Sequence, residues 1–301
     1  MKITFLGTSG MVPTKERNVQ GIYLDYKGEG ILLDCGEGTQ RQIQFAGLNA
    51  QKIKIILISH WHGDHVSGLI GLIQTLGNFS NGEKTVHLYG PPGTKEHLAH
   101  LMGSCIFENK LFLKVHELNS GKLKTFYETD EYALQAINLE HSVPCIGYRF
   151  VKKSRRKMNQ TKLIKLGIKG PMIGRLQSGH SVTIKGKEIT PEQVSTMQSE
   201  RSVAFIFDTV LTKACYTLAK NVNLLISEAV HLHELEEKAN EYKHLTAHQA
   251  AQIASEAGAE RLILTHFSQR YKTTSAHLKE AKEIFPNVTC AHDLLKVNLP
   301  F

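Results

Sequence analysis

A chain of 301 residues with 41% hydrophobic content can bury one large core or two modest ones, and its net charge of +8 with a pI near 9.1 points to a polyanionic partner. Five scattered cysteines, Cys35, Cys105, Cys145, Cys215 and Cys290, form no C-x-x-C pair, which argues against a disulfide framework and for a reducing cytoplasm. No apolar run approaches the roughly 18 residues of a membrane span, and the opening Met1-Lys2-Ile3-Thr4-Phe5-Leu6-Gly7 is too soon broken for a signal peptide. Residues 2–6 read as a first strand, followed by Gly7-Thr8-Ser9-Gly10 and a loop, Pro13-Thr14-Lys15-Glu16-Arg17-Asn18. A hairpin follows at 21–26 and 30–34. The glycine-rich turn at 35–40 opens a helix to about Gly47; without a Walker lysine it is packing and turn chemistry, not a phosphate cradle. The β-branched apolar run 54–58 is a buried strand and 66–74 an apolar helix. Between them, on a strand-to-helix turn, lies Ser59-His60-Trp61-His62-Gly63-Asp64-His65. A strand at 85–89, ended by Gly90-Pro91-Pro92-Gly93, and a helix at 94–103 complete this half.

The middle is strand-rich, at 111–117, 123–127, 132–138 and 146–151, with His141 between the last two. Residues 152–187 break the pattern with eleven Lys or Arg and no Asp or Glu. Such a run is ordinarily a solvated loop, but so long a stretch without acids favours anion binding, and the segment reads as an inserted arm rather than core. Strand and helix then alternate. A strand at 202–207 ends in Asp208-Thr209, a helix spans 211–219, and a strand at 223–227 ends in Glu228. A helix at 245–258 is capped by Thr246 and stopped by Gly258. A strand at 261–265 ends at His266, before a helix at 274–285 and a last strand at 294–297. No repeat is visible. The order fits one α/β (α+β) domain over 1–301, two sheets packed together with helices outside, carrying the arm at 152–187.

The chemistry centres on residues 60–65. In an extended segment residues two apart point the same way, so His60 and His62 can reach one ion. A turn at Gly63 sends Asp64 and His65 toward a second. Three His and one Asp in six residues at a strand end are too dense for capping or core packing, and imidazole nitrogen with carboxylate oxygen suits zinc and similar metals. The remaining ligands must come from elsewhere. His141, Asp208 and His266 each follow an apolar strand. His60, His62, His141 and Asp208 would hold one ion, and Asp64, His65, His266 and Asp208 the other, with Asp208 bridging. Two such ions can deprotonate a water and stabilise an in-line displacement at phosphorus.

The residues so assembled resemble ribonuclease Z, the tRNA 3′-processing endonuclease family of the metallo-β-lactamase fold, over essentially the whole chain. The match runs in order through Phe5-Leu6-Gly7-Thr8-Ser9-Gly10, the loop at 13–18, residues 34–40 and 60–65, the context of His141, Phe207-Asp208-Thr209, and Leu264-Thr265-His266-Phe267-Ser268-Gln269-Arg270-Tyr271. The His-x-His-x-Asp-His pattern is shared by many hydrolases of that fold. The Pro-x-Lys-x-Arg-Asn loop, the Thr-His-Phe-Ser-x-Arg-Tyr run and the basic insertion with Gly170-Pro171 are far more specific. The resemblance implies a four-layer αββα sandwich, two Zn²⁺ per chain on the ligands above, and release of a 3′-hydroxyl tRNA and a 5′-phosphate trailer. It makes Asp64 the group that orients or deprotonates the attacking water. His244 becomes the general acid at the leaving oxygen and Glu228 the carboxylate that orients it. The family often has His-Glu-Ala-Thr where this chain has Ser227-Glu228-Ala229-Val230, so nothing is assigned to Ser227. Substrate contacts are implied at Lys15, Arg17, Asn18 and Arg270, and on the arm at Lys152, Lys153, Arg155, Arg156, Gly170 and Pro171. The arm would grip a precursor tRNA by phosphates and shape, across a homodimer. The alternative is a hydrolase of the same fold acting on small phosphodiesters or other esters, which would have no use for a distant anchor. A non-catalytic RNA-binding protein would have no reason to keep seven ligands.

Overall fold

The computed structural model describes residues 1–79 and 84–300. Two seven-stranded sheets face each other. The first runs in the order Lys296–Asn298, Lys2–Gly7, Gly21–Tyr26, Glu29–Leu33, Ile53–Leu57, Thr85–Gly90, Phe112–Glu117. The second runs Val288–Cys290, Leu262–Thr265, Leu224–Glu228, Arg201–Ile206, Cys145–Lys152, Tyr132–Leu139, Lys124–Glu128. Between them lies an apolar layer that includes Phe5, Ile22, Leu24, Tyr148, Phe150, Phe205 and Ile226, all essentially without exposure. Burial of large apolar side chains contributes about 1.5–3 kcal/mol each, which makes this layer a major source of stability. The helix Leu69–Asn78 buries Leu69, Leu72, Ile73 and Leu76 on the outer face of the first sheet, and Ala247–Glu256 buries Ala250, Ala251, Ile253 and Ala254 on that of the second. The result is the expected αββα sandwich.

Each sheet is half parallel, and this places the site. Glu29–Leu33 pairs in parallel with Ile53–Leu57, and Arg201–Ile206, Leu224–Glu228 and Leu262–Thr265 pair in parallel with one another. Parallel neighbours end on the same edge, and in open α/β sheets the carboxyl ends of the strands are where ligands bind. Tyr148 ties the two sheets at that edge, donating its hydroxyl to the Ile58 carbonyl at 2.8 Å.

The helix expected at 66–74 is two helices, Gly63–Val66 and Leu69–Asn78. A Cβ at Gly68 would stand 2.1 Å from the Gly36 carbonyl oxygen, and one at Gly36 would stand 2.1 Å from that of Asp64. The glycine turn therefore packs directly beneath the ligand loop, as packing chemistry requires. The strand Val288–Cys290 was not anticipated; three residues are too few to show a period.

The arm differs most from its sequence reading. Its stem continues the Lys152–Arg201 pairing at the sheet edge, through antiparallel strands Arg155–Met158 and Ser195–Gln198. Beyond the stem come helices Gln160–Lys165 and Pro171–Gln177, a small hairpin and a last short helix, Pro191–Val194. Leu163, Ile168, Leu176, Val182, Ile189 and Val194 are buried together in a core of their own. The inserted unit thus extends from 153 to about 200, beyond the boundary set by charge alone, and it is folded.

Candidate metal centre

The strand Ile53–Leu57 delivers Ser59 and His60, both buried, to the edge where the parallel strands end. His62 remains extended, at φ −74° and ψ 150°, and the helix Gly63–Val66 begins at once. That change of direction separates the His60/His62 pair from Asp64 and His65. Gly63 itself is not in the left-handed region and a Cβ there would meet nothing within 4 Å, so the turn does not need glycine, contrary to the sequence argument. Trp61 points away, its indole N–H donating to Thr94 at 2.8 Å. Asp34, Asp208 and His266, each just past a strand, have φ of 54°, 28° and 57°. Such backbone in non-glycine residues costs on the order of 1–3 kcal/mol each and clusters at functional sites.

The donors converge. His60 Nε2 lies 3.0 Å from His62 Nδ1 and 3.6 Å from Asp208 Oδ2, and His141 Nε2 lies 3.3 Å and 3.9 Å from the same two atoms. On the other side His65 Nε2 is 3.1 Å from His266 Nε2, and these are 3.4 Å and 3.5 Å from Asp64 Oδ2. Asp208 Oδ1 stands 3.6 Å from His65 and 3.4 Å from His266, and it is buried with no hydrogen-bond partner among the described residues. Nitrogens about 2.0–2.1 Å from one tetrahedral zinc are about 3.3–3.4 Å apart. The spacing therefore fits two ions with Asp208 between them, its Oδ2 offered to the first donor set and the orphaned Oδ1 to the second.

Neighbours fix which nitrogen is free. Asp34 accepts the Ser59 backbone N–H at 2.7 Å, the Ser59 hydroxyl at 2.8 Å and His65 Nδ1–H at 2.7 Å. Ser59 Oγ in turn faces His60 Nδ1 at 3.0 Å, and the Lys243 carbonyl accepts His141 Nδ1–H at 2.9 Å. Each contact turns Nε2 to the centre, the arrangement that orients metal-ligating histidines. Charge follows the same plan. Burial holds His60 well below the usual histidine range and His141 at about 4. Burial opposes the Asp208 charge, but His266, His65 and His60 outweigh it and keep the carboxylate well below its usual range. Around His65 burial is outweighed by Asp208, Asp34 and Asp64, which hold its ring well above the usual range. A divalent cation among those carboxylates would supply that positive charge and free His65 Nε2 to coordinate.

Beside the donors, Glu228 is fully buried, taking the Thr209 N–H at 2.7 Å and His244 Nδ1–H at 3.1 Å. Burial alone would lower His244, yet the Glu228 charge and hydrogen bond, with Asp208, push it up to about 9. Its Nε2 remains available. His62, Asp64, His141, Asp208, His244, His266 and Arg270 all line one cavity of about 810 Å³.

The remaining expected residues are spread out. Arg17 is buried and donates to the Ser268 and Tyr271 carbonyls at 3.2 Å and 2.6 Å, and Asn18 donates to the Glu37 carbonyl at 2.8 Å and to Asp293 at 2.6 Å. Both tie the loop to its neighbours rather than facing the cavity, whereas Lys15 is exposed. On the arm Lys152 is buried at the stem, Lys153 pairs with Glu128 at 2.6 Å, Arg155 with Glu131 at 3.8 Å and Arg156 with Glu192 at 2.7 Å. Gly170, at φ 56°, and Pro171 start an exposed helix. Sequence reasoning missed Asp34, Ser59 and the Lys243 carbonyl. Asp34 carries the signal that found Asp208 and His266, a polar residue ending an apolar strand, but it reads as part of a hairpin.

Known proteins are similar to this chain along its full length. The ribonuclease Z of Methanothermobacter thermautotrophicus is 40% identical over 301 residues, covering 99% of this chain and 97% of that protein. That of Nocardia farcinica is 38% identical over 300 residues, covering 99% and 98%. The chain belongs to the ribonuclease Z family. Residues 1–156, which carry the 60–65 cluster and His141, also belong to the family described as Anti-Pycsar protein Apyc1. Among solved structures, human tRNase Z, short form, superposes with a TM-score of 0.75 at 27% identity over 100% of both chains. The metallo-β-lactamase fold protein YhfI from Bacillus subtilis superposes with a TM-score of 0.69 at 20% identity over 98% of both, which identifies the fold.

Proposed function

We propose that this protein is a zinc-dependent endoribonuclease that removes 3′ trailers from tRNA precursors. The observation that carries the reading is the Glu228-held His244 standing in one cavity with two converging sets of His and Asp donors. His60, His62, His141 and Asp208 would hold one ion and Asp64, His65, His266 and Asp208 the second. Bound there, zinc supplies a nucleophile at neutral pH and positive charge for a displacement at phosphorus. Burial opposes ionisation of Asp64, but His65 and His266 keep its carboxylate well below the usual range, and Met11 N–H fixes its Oδ2 at 2.7 Å. Asp64 is thus held charged and placed to orient the attacking water, whose proton it accepts in this reading. The water oxygen bonds to phosphorus, the bond from phosphorus to the 3′-oxygen breaks, and His244 Nε2 gives its proton to that oxygen. The products are a tRNA ending in a 3′-hydroxyl and a trailer beginning with a 5′-phosphate.

The arm serves as the tRNA anchor in this reading, held across a homodimer so that one subunit's arm approaches the other's cavity. The cytoplasm is the compartment proposed, and five free cysteines accord with it. No helix among the described residues is long and apolar enough to cross a membrane. A small-diester hydrolase would leave the folded basic arm without a purpose. Cleavage of a 3′-extended tRNA transcript, with both new ends mapped, tests the reading. A 3′-hydroxyl and 5′-phosphate at the trailer junction, lost on chelation and restored by zinc, are expected. An intact transcript with zinc-loaded protein contradicts it. Light scattering that gave the monomer mass at assay concentrations would contradict the dimer.

A further inference from the structure

The cavity over the metal centre holds an aromatic side chain that neither the ligands nor the acid–base pair uses. Tyr242 lines it, two residues before His244, and is 55% exposed. Its backbone is pinned. Tyr242 N–H donates to the Lys238 carbonyl at 3.1 Å, Lys243 turns at φ 56°, and His244 N–H returns to the Ala239 carbonyl at 2.7 Å. The Tyr242 hydroxyl has no hydrogen-bond partner among the described residues, and Lys238 Nζ lies 5.8 Å from the ring centroid. Arg270 lines the same cavity and is exposed, with no ion pair among the described residues.

An aromatic ring normally contributes by being buried. One left in water on a rigid turn adds little to the fold, and a single exposed ring elsewhere on a surface would need no explanation. This ring stands in the reaction cavity with the Lys238 ammonium over one face and Arg270 lining the same cavity. An aromatic ring with a free face and with Lys and Arg in the same groove is the chemistry by which proteins hold single-stranded nucleic acid, bases stacking on the ring and cations meeting phosphates.

We propose that Tyr242 is the stacking platform for the base of the last retained nucleotide, the one whose 3′-oxygen receives the His244 proton. The inference rests on the endonuclease reading above. His244 Nδ1 is committed to Glu228, so the proton leaves from Nε2, and the leaving oxygen must be brought to it. A base stacked on a ring two residues away, on the same fixed turn, restrains the sugar that carries that oxygen. Tyr242 is a positioning residue in this scheme and takes no part in proton transfer.

The test uses zinc-loaded dimeric protein and three precursors: intact, abasic at the last retained nucleotide, and abasic at the first trailer nucleotide. With the intact precursor Tyr242→Ala is expected to lower kcat/KM about 10- to 100-fold, the range that stacking supplies, while Tyr242→Phe and Tyr242→Trp stay near the parent. The penalty for the abasic retained nucleotide should be large in the parent and largely vanish in Tyr242→Ala, whereas the trailer penalty should be the same in both. Equal retained-nucleotide penalties in parent and variant would overturn the platform. Loss of the trailer penalty instead would overturn its assignment to the retained side. Zinc content and unfolding temperature establish that Tyr242→Ala is folded; if it is not, Tyr242→Leu, which keeps bulk without a π face, should lose activity as alanine would. A parent protein that leaves the intact precursor uncut overturns the endonuclease reading and this inference together, while cleavage without coupling overturns the inference alone.

Discussion

At the strand ends every histidine of the cluster has one nitrogen held by a neighbour or turned onto another donor, nearly all of it out of water. On the arm, Lys157, Lys165, Lys169, Arg175, Lys185 and Lys187 are exposed, with no ion pair or side-chain hydrogen bond among the described residues, on a core of six side chains. Under the proposed function the difference reflects two kinds of work. Phosphoryl chemistry depends on geometry, and donors misplaced by an ångström lose much of the rate. Phosphate binding acts through counterion release, which tolerates a flexible point charge. A large core of two sheets supports the first, and a small folded unit is enough for the second.

The largest effect should come from Asp208, the carboxylate that meets both donor sets. Asp208→Ala is expected to reduce zinc from about two equivalents to below one and to abolish precursor cleavage, as chelation should in the parent. Two equivalents retained after that change would break the bridging model. Asp64→Ala should also lose both activity and metal.

His244 sharpens the division within the cavity itself. His244→Ala is expected to keep its zinc and lose about 10²–10⁴-fold in kcat. The acid must carry its proton, so activity should fall as pH rises through the His244 pKa, which Glu228 and Asp208 push up to about 9 and bound cations would lower. Glu228→Gln removes the main charge that raises it, so the alkaline limb of the kcat profile should move to lower pH. A limb that stayed in place would contradict the pairing.

Asp34 tests the layer behind the ligands. Asp34→Ala leaves all seven donors in place but frees His65 Nδ1 and Ser59, and zinc affinity should fall about 10- to 100-fold in competitive chelator titration. The smallest effect belongs to the arm root. Arg156→Ala breaks one ion pair to an exposed glutamate, where solvent screens the attraction, and thermal unfolding should barely change.

The two regions were unequally legible in the sequence. The cluster at 60–65 announced itself by density, and His141, Asp208 and His266 by ending apolar strands. Asp34 ends a strand in the same way, but a lone aspartate after a hairpin looks like a turn residue. His244 and Glu228 came from family resemblance, because pairing across 16 residues of loop and helix leaves no local pattern. On the arm the excess of positive charge was visible, but its partition was not. Lys153, Arg155 and Arg156 are met by Glu128, Glu131 and Glu192, all from outside the acid-free segment, so counting charge within it could not show which cations are paired. The arm's core escaped notice because its apolar residues come from three short helices, a turn and a hairpin, none long enough to show periodicity.

The most direct test of this separation is the salt dependence of precursor-tRNA binding by a variant in which Lys165, Lys169, Arg175, Lys185 and Lys187 are all alanine, set against its hydrolysis of bis(p-nitrophenyl) phosphate. The account predicts weaker binding, a log–log salt slope shallower by about 0.7–0.9 for each phosphate that the variant no longer neutralises, and small-diester hydrolysis at the parent rate. An unchanged slope, or equal loss on both substrates, would contradict it.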